Sequence, residues 1–109
     1  MLMLLEYLEH DGSSPFAKWF ATLDAVAAAK ITTGVRRLEL GNFSNVKGVG
    51  AGVFEYRIDF GPGYRVYFGK NGERLVILLG GGTKKGQDRD IATARVRWKD
   101  YKKRRSQEK

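Results

Sequence analysis

The sequence predicts a single α+β domain, and three observations carry that reading. Along its 109 residues an apolar run of strand length is followed by two helical stretches, three further strand candidates and a last helical stretch. The length suits one hydrophobic core and no second domain. The composition, 42% hydrophobic with fourteen glycines against two prolines, is that of a turn-rich globular chain. The expected order is β-α-α-β-β-β-α: a small, mostly antiparallel sheet packed against a helical hairpin, with a C-terminal helix. One domain covers residues 1–109, and about 102–109 (KKRRSQEK) read as a basic, frayed tail.

LMLLEYL is dense in apolar residues and reads as the first strand. Ser14 then stands at a helix N-cap with Pro15 at the first helical position, where a missing N–H costs nothing. Phe16, Trp19 and Phe20 follow at i, i+3 and i+4 and give that short helix one aromatic face. Asp24 caps a second helix that runs to a C′ glycine at Gly41, with Ala27, Ile31, Val35 and Leu38 as its apolar stripe. Residues 42–52 have the composition of a loop. GVFEYRIDF, YRVYFGK and RLVILLG are the next strands, the last apolar enough to be central. GGGTKKG reads as a loop, and Asp88 or a neighbour caps a final helix whose stripe is Ile91, Ala94, Trp98 and Tyr101.

The charge is segregated. Residues 1–46 carry four basic and five acidic side chains, whereas residues 47–109 carry sixteen and seven. A basic half beginning where the sheet begins favours a polyanionic partner, because clustered Lys and Arg gain by releasing phosphate counterions. The absence of cysteine excludes disulfides, thiolate zinc sites and cysteine nucleophiles. The apolar opening lacks a basic n-region and is interrupted by Glu6, so no secretory signal or membrane span is expected, and a cytoplasmic location is.

Residues 60–68, FGPGYRVYF, raise the functional question: an arginine stands between two tyrosines just past a turn. If residues 61–63 form a three-residue connection, Phe60 faces Tyr64, Ile58 faces Val66 and Tyr56 faces Phe68, all on one apolar side. The other side then pairs Asp59 with Arg65 and Arg57 with Tyr67, with Glu55 beyond, and is outward-facing. A solvated face with an Asp59–Arg65 surface pair is one reading. The other has Arg57 and Arg65 offering planar donors to phosphate oxygens, Tyr67 offering a ring or hydroxyl, and Lys84 and Lys85 joining from the glycine-rich segment, which lacks the spacing of a Walker loop.

YRIDFGPGYRVYF, followed by LVILLGGGTKKGQDRDI and Ala94, resembles the Gp49 or HigB-like branch of the RelE and ParE toxin superfamily, the addiction-module killer proteins. The resemblance spans most of the chain, including SPFAKWF and VKGVGAGVFEYR. It implies the toxin of a type II toxin–antitoxin pair, neutralised by a helix-turn-helix antitoxin. It further implies a metal-independent endoribonuclease that needs no cofactor, cleaves mRNA in the ribosomal A site and inhibits translation through 2′-hydroxyl attack on the adjacent phosphate.

On that resemblance Arg65 matches the sheet arginine that stabilises the phosphorane, Arg57 a basic position on the preceding strand, and Lys84 the basic residue after the last strand. Lys47, Tyr67 and Lys85 are expected RNA contacts. This chain departs from the pattern at Thr83 and Lys85, where Asp and Ser are common, at Glu55, where RelE has lysine, and near the last helix, where RelE has a tyrosine and this chain offers Asp90 and Ile91. Arginine is a poor base, so Lys84 or Lys85, or else Glu55, is the candidate proton acceptor, and the lone His10 is expected to be an ordinary surface residue. Trp19 and Trp98 lie on apolar stripes and read as core. Two rival readings remain: a ParE-like inhibitor of DNA gyrase that is no nuclease, and an inactive basic RNA-binding module.

Overall fold

A computed structural model describes residues 1–107. Its elements are β1 (Met3–Glu6), α1 (Pro15–Ala21), α2 (Ala25–Glu39), β2 (Val46–Gly48), β3 (Val53–Ile58), β4 (Tyr64–Asn71), β5 (Leu75–Thr83), a single 3₁₀ turn (Lys84–Gly86) and α3 (Gln87–Gln107). The five strands form one sheet in the order β1-β5-β4-β3-β2. Only β1, paired with β5, is parallel; the other neighbours are antiparallel. The predicted α+β class therefore holds, with one strand more than expected. β2 sits inside the segment read as a loop, and its three residues pair with β3.

The caps act as their chemistry dictates. Ser14 Oγ accepts the Ala17 N–H at 3.0 Å and Asp24 Oδ1 accepts the Ala27 N–H at 2.8 Å, each satisfying a donor that the first helical turn leaves free. α2 stops at Gly41, whose φ of +85° is a left-handed conformation that glycine adopts without strain.

The sheet is covered on both sides. α1 and α2 close one face with Phe16, Ile31 and Leu38 against Tyr56, Val66, Phe68, Val76 and Leu78. α3 closes the other with Ala94 and Trp98 against Val53, Tyr67, Ile77 and Leu79. β5 feeds both cores from alternate positions, as a central strand must. Its strand character continues through Gly80, Gly81, Gly82 and Thr83, which corrects the reading of that stretch as a loop. A bulge between Tyr67 and Phe68 on the β4 register inserts Leu79 as the extra residue. The glycines beyond it admit neighbours at close range: a Cβ on Gly81 would lie 2.3 Å from the Trp19 ring, and one on Gly82 would lie 2.0 Å from the Asp90 carboxylate.

α3 is longer than expected. Residues 102–107 are helical where a frayed tail was predicted, and residues 108 and 109 lie outside the described chain. Arg104 explains the difference: its guanidinium donates to Asp100 and, at 2.6 Å, to the Leu8 carbonyl just beyond β1. Tyr7 completes the clasp by donating to Asp100 Oδ2 at 2.7 Å. Asp88 lies in the first turn of α3, one residue inside its start, so it complements the helix dipole instead of capping it. No helix among the described residues is long and apolar enough to cross a membrane.

Two stability experiments follow from this packing. Gly69 faces the Trp98 ring so closely that an added Cβ would lie 2.4 Å away, whereas one on Gly48 would meet nothing nearer than 4.0 Å. Gly69→Ala should lower stability by about 1–3 kcal/mol in urea unfolding, and Gly48→Ala should fall well below that. The second concerns Asp100, whose carboxyl is held below the ordinary carboxylate range by hydrogen bonds from Tyr7 and Arg104. A depressed carboxyl stabilises the fold above its unfolded-state value and loses that contribution as pH falls through its folded value. Asp100→Asn should therefore cost about 1 kcal/mol at neutral pH, and thermal melts of the two proteins should converge below about pH 4.

A basic groove at the open end of the sheet

The hairpin of β3 and β4 sets the geometry. The observed partners are Ile58 with Tyr64, Arg57 with Arg65, Tyr56 with Val66, Glu55 with Tyr67 and Phe54 with Phe68. The predicted register is thus wrong by two residues, although every side chain keeps its predicted face, because a two-residue slip preserves the alternation. The connection is five residues long, 59–63. Within it Gly63 N–H donates to the Phe60 carbonyl at 3.0 Å across a turn whose first central residue, Gly61, has φ +55°.

The true register puts two guanidinium groups directly opposite each other, an unfavourable pairing unless an anion intervenes. Glu55 is that anion. It is fully buried, and its Oε1 accepts from Arg57 Nε at 2.9 Å while Oε2 lies 3.8 Å from Arg65 Nε. Gln87, the first residue of α3, donates its amide to Glu55 Oε2 at 3.1 Å. Arg65 is 7% exposed and Tyr67 and Glu55 are buried, leaving Arg57 as the exposed member, so this face is not the open, solvated surface the alternation predicted. The expected Asp59–Arg65 pair is replaced by Glu55–Arg65, since the longer connection carries Asp59 past the end of the ladder.

Gly63 fixes the other side of Arg65. Its carbonyl accepts from Arg65 Nη1 at 3.0 Å and from the Lys84 backbone N–H at 2.8 Å. Its own φ of +77° is a left-handed conformation that favours glycine, and a Cβ there would press on Arg65 Nη1 at 3.1 Å. Arg57, Arg65, Lys84 and Lys47 come together on a groove of about 450 Å³, with Asp59 as its one carboxylate. Four cations with one acid in a concave wall make a site for a polyanion, and the two arginines are oriented in advance by Glu55 and Gly63.

Two predicted contacts are elsewhere. Lys85 lines a separate cleft of about 850 Å³ running from Lys84 along the start of α3 to Trp19. Tyr67 lies beneath α3, 1% exposed. Burial first, then the Glu55 and Asp90 carboxylates, push its hydroxyl well above the ordinary tyrosine value, so it stays a neutral donor. His10 is an exposed side chain 3.6 Å from Asp100 and lines no part of the groove. Trp98 is core as expected, while Trp19 is half-buried and borders the cleft. Gln87 and the Gly63 carbonyl are the positioning groups the sequence reading missed; neither an isolated amide nor a main-chain oxygen leaves a pattern to find.

Breaking a buried charge cluster from one side is costly, because the remaining charges are left unpaired. Glu55→Ala should lower stability by about 3 kcal/mol in urea unfolding. Gln87→Ala, which removes one neutral donor, should cost about 1 kcal/mol.

Comparison with known proteins places these residues in a family. Residues 18–99 match the family model described as phage derived protein Gp49-like (DUF891). A Haemophilus influenzae protein named only as an uncharacterized protein is 48% identical over 82 residues, covering 74% of this chain and 83% of that one.

Proposed function

The chain belongs to the Gp49-like family of phage-derived proteins, a RelE- and HigB-like toxin branch, and from that premise we propose that it is an endoribonuclease toxin. Its family ties it to toxin–antitoxin systems. In this reading it is the toxin of a type II pair, it cuts mRNA at the ribosomal A site, and a helix-turn-helix antitoxin neutralises it. The observation that carries the reading is the groove, where Arg57, Arg65 and Lys84 face one space and two of the three are held from behind.

The chemistry suits those groups. A ribose 2′-hydroxyl, its proton passing to solvent water, attacks the adjacent phosphorus, a pentacoordinate phosphorane forms, and the P–O5′ bond breaks as the 5′-oxygen takes a proton, leaving a 2′,3′-cyclic phosphate and a 5′-hydroxyl. Charge grows on the non-bridging oxygens, and preorganised guanidinium donors stabilise it without reorganising in the act. Arg65 is assigned the phosphorane, Arg57 the phosphate on the exposed side, and the Lys84 ammonium the departing 5′-oxygen. Lys47 holds the RNA backbone at the rim. Glu55, whose two oxygens are engaged by Arg57 and Gln87 in full burial, is assigned the positioning of the arginines, not proton transfer.

Purified protein added to translating ribosomes should yield cut mRNA with 5′-hydroxyl ends, read by primer extension. Arg57→Ala and Arg65→Ala should each lower the cleavage rate by roughly 10²–10³, with circular dichroism confirming an intact fold. Cleavage that survives both substitutions together would sink the site assignment. Growth arrest with a DNA-damage response and uncut transcripts would instead support the gyrase-inhibitor reading, and salt-sensitive RNA binding without cleavage the inactive module.

A further inference from the structure

The two edges of the sheet are not alike. β2 is three residues long, carries Lys47 and ends in glycine, features that discourage pairing with another chain. β1 has neither lysine, proline, glycine nor a bulge, and its one charge is Glu6. Met3 donates its N–H to the Arg74 carbonyl at 2.7 Å and Tyr7 to the Leu78 carbonyl at 2.9 Å, so the odd-numbered residues turn their main chain toward β5. The even-numbered ones turn outward. The Leu2 N–H is taken by the Glu39 carbonyl at 2.8 Å, and the Leu8 carbonyl accepts from Arg104 at 2.6 Å. Between these stops the N–H and C=O groups of Leu4 and Glu6 have no partner among the described residues. The side chains of the same edge are bare and apolar. Tyr7 packs in the α3 core, and by alternation Met3 and Leu5 share its face, yet they remain 62% and 44% exposed. With Met1 and Leu8 they make four of the seven large hydrophobic side chains exposed among the described residues, a concentration that marks an interaction site.

We propose that this edge is a self-association surface, on which two copies of the chain pair β1 with β1, antiparallel, about a two-fold axis at Leu5. The free groups select both the occupant and the register. With Leu5 opposite its counterpart, Leu4 of each copy stands opposite Glu6 of the other, and each such pair exchanges two hydrogen bonds. Every unpaired main-chain group of the edge is then satisfied. An axis at Leu4 would need the Leu2 N–H that Glu39 already holds, and an axis at Glu6 would set two carboxylates against each other. The same register stacks Leu5 on Leu5 and Met3 on Tyr7, covering the apolar side chains that solvent now touches. Charge also favours a like partner at this place. Residues 1–46 carry four basic and five acidic side chains, net −1 in a chain of net +8, so two basic molecules repel least where these residues meet. A two-fold pair is closed and leaves no β1 edge for further growth. β1 lies across the sheet from β2 and β3, which carry Lys47 and Arg57, so pairing leaves both basic grooves open.

Pairing of β1 requires no nuclease activity, so its test stands apart from the ribonuclease reading. The chain has no cysteine, and Leu5→Cys therefore introduces a lone thiol. In the paired strands its Cα would lie about 4.5 Å from its counterpart, within reach of a disulfide. Met3→Cys, two residues from the axis, would stand roughly 14 Å from its counterpart and out of reach. Under mild oxidation Leu5→Cys should run as a covalent dimer on non-reducing gels and Met3→Cys as a monomer. Sedimentation equilibrium of the full chain should show a reversible monomer–dimer equilibrium. Leu5→Lys, which loses apolar contact and opposes two ammonium groups, should weaken it roughly tenfold or more. Because Leu5 is half-exposed in the single copy, circular dichroism should show the fold of that variant intact. Amide exchange at Leu4 and Glu6 should slow as concentration rises, whereas Met3 and Tyr7, bonded within each copy, stay protected throughout. A chain that is monomeric at every concentration, or a dimer in which both cysteine variants cross-link equally, would overturn the pairing. Protection of the Leu4 and Glu6 amides only when a different protein is added would overturn it too, and give the edge to a foreign strand.

Discussion

The Glu55 carboxylate, buried beneath two arginines that face each other across β3 and β4, is the interaction on which the rest of the basic end depends. Without an anion there, the observed register would set Arg57 against Arg65 in direct repulsion. With it, the same register becomes a device for presenting two guanidinium groups side by side. Burial makes the arrangement exacting, because a charge taken fully out of water is costly without partners: Glu55 accepts hydrogen bonds from Arg57 on its own strand and from Gln87 at the start of α3, while Arg65 on the next strand adds its charge from 3.8 Å. The helix that closes the second core therefore also completes the charge cluster.

That coupling divides the sheet along its length. Toward Val53, Ile77 and Trp98 the α3 side is an ordinary apolar core. Toward Arg57, Arg65 and Lys84 the same side is ionic and opens on the groove. The other face, under α1 and α2, is dominated by apolar packing, with Lys70 lying over the Phe43 ring, so the hairpin can carry charge on one side because the opposite side supplies the packing.

Much of this was legible in the sequence. Ser14, Asp24 and Gly41 mark helix ends by chemistry local enough to read, and the stripes of α2 and α3 follow helical periodicity. Alternation correctly assigned each residue of β3 and β4 to its face. It could not fix the register, because slips of two are invisible to a period of two and only the five-residue turn decides. It also misjudged exposure: Glu55, Arg65 and Tyr67 look like a solvent face, and only their mutual arrangement under α3 lets them be buried. β2 escaped because three residues in a glycine-rich stretch carry too little pattern, and the Gly80–Gly82 portion of β5 because its glycines serve close approach and not flexibility. Arg57 and Arg65 were found by charge and alternation, Lys84 by its place in the basic, glycine-rich segment and again through the resemblance, Lys47 only alongside the resemblance, and Gln87 not at all.

The Gly63 carbonyl has a consequence of its own. It is the single oxygen that receives both Arg65 and the backbone of Lys84, so it joins the hairpin turn to the exit of β5. Being main chain, this hinge pin has no side chain for a point mutation to delete. It can be lost only by moving the backbone, which is what any residue forced into the left-handed conformation of Gly63 would tend to do. The spacing between the arginine and the lysine is thereby guarded by a glycine that carries no charge of its own.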